Sequence, residues 1–238
     1  VHGLEPDTKT TALVIKGMRG TLEGLLRKGR GADDVLGAYA VGLGLAGAAS
    51  AQTALSAQDR ADMRRIESYL EGLKTVRARF IQHSELGGFA AGTFYLARPG
   101  QMRIEYDPPV PYLYVANGSW LTFWDEELGQ RTDVPIGSTL ADFITREDVS
   151  LDGEVTVTDV RRVTELGELE VDLVQTDDPG NGQLTLVFDA DPLAFKRWTV
   201  RDGQGLFTEV TLTDPAYDVA LEDELFRAPR PRRPERDD

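Results

Sequence analysis

The sequence predicts a mainly β protein in which one amphipathic helix precedes an antiparallel sheet that curls into a barrel or half-barrel. An apolar period of three to four residues occurs over residues 56–74, and about ten short runs with a period of two follow it. Turn residues separate these runs, and no long helical pattern lies between them. Short strands that follow one another through turns favour an antiparallel sheet.

The first 51 residues are predicted to be an N-terminal extension with a secretory signal peptide. Basic residues at 27–30 precede an uncharged run rich in Ala, Gly, Leu and Val, Val35–Ala49, which is too short at about 15 residues for an ordinary membrane span. The run ends in Ala49-Ser50-Ala51, a small-x-small cleavage pattern. Cleavage after Ala51 would leave 20 basic and 35 acidic residues. We therefore expect a periplasmic protein.

The same region contains a match to the dinucleotide-binding pattern G-x-G-x-x-G at Gly42–Gly47. That motif requires a preceding strand and a surrounding βαβ unit. One helix and then many strands follow here, so the signal peptide is the preferred interpretation.

The helix is predicted over Ser56–Lys74. Met63, Ile66, Leu70 and Leu73 recur at helical spacing, and Ser56 with an acid three residues later resembles a capping box.

The period changes to two after this helix, and Asn117-Gly118 between two of the runs indicates a hairpin. A short helix is expected at Gly137–Ile144, with Ser138 as its cap. The Pro- and Arg-rich end, Arg227–Asp238, is expected to be disordered. The predicted strands are Val76–Gln82, Gly92–Leu96, Gln101–Tyr106, Tyr112–Ala116, Trp120–Trp124, Glu154–Arg162, Leu169–Gln175, Leu184–Asp189, Arg197–Arg201 and Phe207–Thr213.

Composition argues against several classes of function. The formal net charge of −14 is unfavourable for binding nucleic acid, because that binding depends on basic side chains that meet phosphates. The sequence has no cysteine and only two histidines, so we expect neither a thiolate nor a histidine-rich metal site, and no cofactor. After residue 51 a serine hydrolase would have to use His83, which is adjacent to Ser84 and lacks a G-x-S-x-G motif. We therefore do not expect an enzyme.

A series of motifs resembles the outer-membrane lipoprotein carrier family (LolA). The central one runs from Gly92 to Tyr106 and consists of a Gly, an alternating apolar strand, Arg98-Pro99 and a second apolar strand. The motifs that accompany it in the family's order are Phe80-Ile81-Gln82, Pro108-Pro109, Tyr114–Gly118, Leu121–Asp125 and Leu225-Phe226. The resemblance covers residues 58–229.

The resemblance implies an incomplete antiparallel barrel, a half-barrel, with a helical lid over an apolar cavity. We expect this domain at residues 52–228, with a disordered tail at residues 229–238. Members of the family take lipoproteins from an ATP-driven complex in the inner membrane and pass them to a lipoprotein receptor at the outer membrane. By resemblance, this chain is a monomeric periplasmic carrier that binds lipoprotein acyl chains.

The resemblance also assigns roles to individual residues. Arg98 corresponds to an arginine that hydrogen-bonds lid carbonyls and holds the closed state, which suits a guanidinium with five donors. Alternating apolar strands are by themselves usually ordinary core, and only the resemblance favours a cavity. The residues expected to line it are Ile66, Leu70, Leu73, Phe80, Phe94, Leu96, Met102, Ile104, Tyr106, Leu121, Phe123, Leu140, Phe143, Ile144 and Trp198.

Two alternatives remain open. One is a related periplasmic lipid-binding or sensing protein of the same fold with a different lipid ligand, because fold does not determine function. The other is a secreted hydrolase. The family's receptor is itself a lipoprotein, and the absence of cysteine argues against that assignment.

Overall fold

The structure, a computed structural model, describes residues 55–85 and 88–230, so the predicted signal peptide and the end of the predicted tail lie outside the described residues. Two α-helices and eleven strands lie within these described residues. They are α1 (Ala57–Gly72), β1 (Thr75–Ser84), β2 (Phe89–Ala97), β3 (Gln101–Tyr106), β4 (Tyr112–Asn117), β5 (Trp120–Asp125), β6 (Gln130–Pro135), α2 (Leu140–Thr145), β7 (Val155–Val163), β8 (Glu168–Gln175), β9 (Gly182–Ala190), β10 (Leu193–Asp202) and β11 (Phe207–Tyr217).

All eleven strands belong to one antiparallel sheet with the order β6-β5-β4-β3-β2-β1-β11-β10-β9-β8-β7. The first strand therefore pairs with the last, and β6 and β7 are the two edges, so the described sheet does not close. The prediction of a mainly β, incomplete antiparallel barrel is confirmed. The sequence prediction lacked β6, because Gln130–Pro135 is a polar, exposed edge strand without an apolar alternation.

Helix α1 begins as predicted. The Ser56 hydroxyl accepts a hydrogen bond from the Asp59 amide at 3.1 Å, and the Asp59 carboxylate accepts one from the Ser56 amide at 2.8 Å. These two bonds form the predicted capping box. Arg162 on β7 binds both Asp59 and Asp62, which attaches the helix to one edge of the sheet. No helix within residues 55–85 and 88–230 is long and apolar enough to cross a membrane.

The core lies between the concave face of the sheet and the covering segments. Side chains of β1 alternate between buried and exposed, as the period of two predicts, and Phe94 and Leu96 of β2 are both 2 % exposed on the concave side. Ile66 and Leu70 of α1 pack into the same cluster. The helix thus packs against the concave face of the sheet.

A connecting segment, residues 136–154, joins the two edge strands, and we call it the lid segment. It contains a 3₁₀ turn at Ile136–Ser138 and then α2. The predicted Ser138 cap is wrong, because Thr139 is the N-cap residue and makes no side-chain capping bond. The Thr139 hydroxyl instead donates to the Ile136 carbonyl at 2.8 Å, which keeps it from the helix amides. Leu151 is 1 % exposed, and its amide donates to Glu67 of α1 at 2.8 Å.

The convex face carries a second apolar cluster. The segment after β11 crosses β3 and β4 there, and Phe226, which is 3 % exposed, packs with Leu113 and Val115. Arg103 donates to the Leu225 carbonyl at 3.0 Å. Residues 221–228 therefore form a strap on the face opposite the lid segment.

Candidate functional site: an apolar cavity under the lid segment

A cavity lies on the concave side of the sheet. The end of α1, the end of β2 and helix α2 of the lid segment meet there. The space open to the centre of a water molecule is about 20 Å³, which is room for about one or two waters. The cavity is thus nearly closed in this structure. It is lined by Leu70, Leu73, Val76, Phe94, Leu96, Arg98, Phe143, Ile144, Leu186, Phe195, Leu212 and Tyr217.

The structure brings part of the predicted set together in this wall. The wall contains six of the residues predicted to line an acyl-chain cavity, and also Arg98, the predicted lid latch; their roles remain predictions. The six are Leu70, Leu73, Phe94, Leu96, Phe143 and Ile144. Others belong to the same apolar cluster but lie away from the cavity wall, namely Ile66, Phe80, Met102, Ile104, Tyr106, Leu121, Phe123 and Trp198. Leu140 begins α2, and its role remains a prediction.

Sequence reasoning missed the residues that β9, β10 and β11 contribute. Leu186 and Leu212 lie in strands that were predicted, but their alternation does not reveal which strands meet. Because β11 pairs directly with β1, Leu212 lies beside residues that precede it by more than a hundred positions. Tyr217 lies at the end of β11, beyond the predicted strand, and is 40 % exposed at the rim.

Arg98 is the one charged residue in the described cavity wall. Its amide donates to the Lys74 carbonyl at 2.8 Å, which fixes the end of β2 beside the end of α1. The Nε, Nη1 and Nη2 atoms of its guanidinium are buried, and none has a hydrogen-bond partner among the described residues. Burial lowers the pKa of Arg98 to about 10, although Glu71 nearby opposes that change. The side chain remains a cation at neutral pH.

A backbone hydrogen bond joins the lid segment to the turn between β2 and β3. The Gly100 amide donates to the Thr145 carbonyl at the end of α2, at 2.7 Å. The hydrogen bonds from Arg98 to lid carbonyls that the resemblance implies are not formed in this closed arrangement. Arg98 instead faces the cavity together with Phe143 and Ile144 of the lid segment.

Further along the concave face, away from the cavity, lies a group of aromatic rings. The Tyr106 hydroxyl donates to Gln82 at 2.7 Å, and its ring packs edge-on against Phe80, with centroids 5.2 Å apart. Burial raises the pKa of Tyr106 and of Tyr114 well above the ordinary value. Both tyrosines are therefore neutral hydroxyl groups, and Tyr106 is a structural member of the core.

His83 and Ser84, the pair considered for a hydrolase, are neighbours on β1 and point to opposite faces. His83 is exposed beside Phe207, whereas Ser84 is 0 % exposed on the concave side. Alternation along a strand separates such neighbours. A serine–histidine couple is thus not assembled by these two residues.

The relationship of this chain to known proteins agrees with the geometry. The family model described as "Outer membrane lipoprotein carrier protein LolA" matches residues 71–229. An outer-membrane lipoprotein carrier protein from Methylococcus capsulatus is 29 % identical over 173 residues, which cover 68 % of this chain and 81 % of the relative. One from Chromobacterium violaceum is 35 % identical over 109 residues, 44 % of this chain and 48 % of the relative.

Similar solved structures include a LolA superfamily protein from Nitrosomonas europaea, with a TM-score of 0.40, 10 % identity, and coverage of 70 % of this chain and 97 % of that one. An uncharacterised conserved protein from Thermus thermophilus has a TM-score of 0.46 and 13 % identity, with 73 % and 95 % coverage. The family match spans most of the chain and includes β1 to β11, the lid segment and the strap. This chain therefore belongs to the LolA family of outer-membrane lipoprotein carrier proteins.

Proposed function

We propose that this protein is a periplasmic carrier that shelters the acyl chains of lipoproteins during transfer from the inner to the outer membrane. The observation that carries the proposal is the cavity, whose wall is hydrocarbon apart from Arg98 and Tyr217. Burial of an acyl chain gains about 0.8 kcal/mol per CH₂, so a chain of about 16 carbons is held in water only at a cost near 13 kcal/mol. A carrier therefore needs an apolar cavity and no catalytic group.

Loading requires the lid segment to move. The closed cavity has room for about one or two waters, far less than an acyl chain, and Phe143 and Ile144 form the part of its wall that belongs to the lid segment. Backbone contact between Gly100 and Thr145 is a single hydrogen bond, which is readily exchanged for water. Movement of α2 away from β2 would open the cavity towards β9 to β11.

The direction of lipoprotein transfer is set by the partner proteins. Transfer between a bilayer and the cavity moves acyl chains from one apolar medium to another, so it is close to neutral in free energy. We propose that an ATP-driven inner-membrane complex supplies the lipoprotein and that an outer-membrane lipoprotein receptor accepts it, with this protein acting as a monomer.

A direct test is binding of a triacylated lipopeptide to the purified protein, followed by native mass spectrometry. Leu212→Trp replaces an aliphatic side chain of the cavity wall with a larger indole ring. It is expected to weaken binding about tenfold or more, because the ring fills space that the acyl chain needs. Leu166→Trp is the matched control, because Leu166 is 63 % exposed on a turn. Equal binding of the lipopeptide by both variants and the wild type would refute a ligand in this cavity. A lipid of another class that co-purifies with the protein would show that it carries that lipid instead.

Arg98 is proposed to control release. Removal of the guanidinium in Arg98→Leu leaves the apolar wall intact, so the variant is expected to load lipoprotein and to transfer it poorly to the receptor. Transfer is measured as the fraction of loaded lipoprotein recovered on receptor-containing vesicles. Normal transfer by Arg98→Leu would contradict a gating role.

A further inference from the structure

The guanidinium of Arg98 differs from three other partly buried guanidinium groups in the described structure. Arg146, Arg161 and Arg197 each bind carboxylates, as in the pair that Arg197 forms with Glu168 at 2.7 Å. Arg98 has three buried nitrogen atoms without a partner in the described structure. Glu71 is a nearby opposite charge, but no hydrogen bond reaches the Arg98 guanidinium among the described residues. Buried donors without acceptors are unfavourable, and a guanidinium presents five donors in a fixed fork. The folded protein thus keeps an unused site for an oxygen acceptor.

The side chains around the Arg98 guanidinium indicate which kind of molecule carries the oxygen acceptor. The other residues of the cavity wall are apolar except for Tyr217 at the rim, and they include Phe94, Leu96, Leu186 and Phe195. A single cation in an otherwise apolar wall is complementary to an alkyl chain with an anionic head. We propose that Arg98 and this cavity bind a single-chain amphiphile with a carboxylate head, namely a free long-chain fatty acid.

A carboxylate fits better than the neutral carbonyl of an ester. Both accept hydrogen bonds, but only the carboxylate forms charge-assisted ones, and its two oxygens match the guanidinium fork. This inference rests on the proposed use of the cavity for acyl chains, and adds a ligand class that has no peptide or glycerol part.

The experiment compares dodecanoate with methyl dodecanoate, which has the same chain without the charge. Affinities of the full protein for both are measured by isothermal titration calorimetry below the micelle concentration. Hydrogen bonds to charged groups predict that the wild type binds dodecanoate about tenfold to a hundredfold more tightly. Arg98→Leu is expected to lose that ratio through weaker dodecanoate binding, with methyl dodecanoate unchanged.

Two further variants make the result decisive. Arg77→Leu removes an exposed guanidinium from β1 and is expected to keep the wild-type ratio. Arg98→Gln removes the charge from a side chain that stays polar, and replaces Arg98→Leu if the latter does not fold. Equal affinities for the two ligands in the wild type, or an unchanged ratio in both Arg98 variants, would overturn the assignment.

The triacylated lipopeptide is measured in parallel, so that the two proposals fail separately. Lipopeptide binding without a preference for dodecanoate would reject the fatty-acid site and leave the carrier proposal standing. Preference for dodecanoate without lipopeptide binding would support the Arg98 site and reject the carrier proposal.

Discussion

Replacement of Gly92 by alanine tests how the concave face is built. Gly92 lies in β2 opposite Phe80 of β1, and the Phe80 ring lies over it. A Cβ at this position would overlap the Glu105 carbonyl oxygen of β3 and approach the Phe80 ring to 2.6 Å. Overpacking costs about 1–3 kcal/mol. Because one obstacle is the backbone of a paired strand, we expect a loss of about 3 kcal/mol in the free energy of unfolding.

The assay is urea unfolding followed by tryptophan fluorescence and far-ultraviolet circular dichroism. Gly72→Ala is the control, because a Cβ there meets nothing within 4 Å. Gly72 also lies in α1, where alanine is favoured over glycine by about 0.5–1 kcal/mol. We expect the two variants to change stability in opposite directions. A Gly92→Ala variant within about 0.5 kcal/mol of the wild type would refute the proposed contact of Phe80 with the β2 backbone.

Three other predictions follow from buried groups. The hydrogen bond from Arg197 lowers the pKa of Glu168 from 4.5 to about 2, so this carboxylate contributes stability above pH 4.5 that is lost as the pH falls towards 2. The free energy of unfolding falls by about 3 kcal/mol over this pH range. In Glu168→Gln, we expect the urea concentration at the unfolding midpoint to depend less on pH in the same range. Arg98→Leu removes a partly buried cation whose guanidinium has no hydrogen-bond partner among the described residues. We expect it to raise the melting temperature of the ligand-free protein, with a stabilisation of roughly 1 kcal/mol, and a lower melting temperature would contradict this. Phe226→Ala should cost about 3 kcal/mol and expose the strap to limited proteolysis, whereas an unchanged cleavage pattern would show that the strap is held by other contacts.

Local patterns were sufficient for most of the secondary structure. The period-two runs predicted ten of the strands, and the Ser56–Asp59 pair predicted the start of α1, because both signals depend on residues a few positions apart. The same rules failed at β6, which is polar on both faces, and at the Thr139 cap, where the hydroxyl is used by the preceding 3₁₀ turn. The mainly β class and the LolA family were thus accessible from the sequence.

The sequence by itself determined the apolar faces of the strands, the capped helix and the unusual arginine before Pro99. Only the tertiary structure decided that the last strand lies beside the first, which brings Leu212 and Tyr217 to the same cavity as Leu73. It also decided that Arg98 is buried without a partner, since burial depends on what packs around a side chain and not on its neighbours in sequence. Alternation shows that a face is apolar, whereas the closeness of opposing faces determines whether the space between them is filled or left as a cavity.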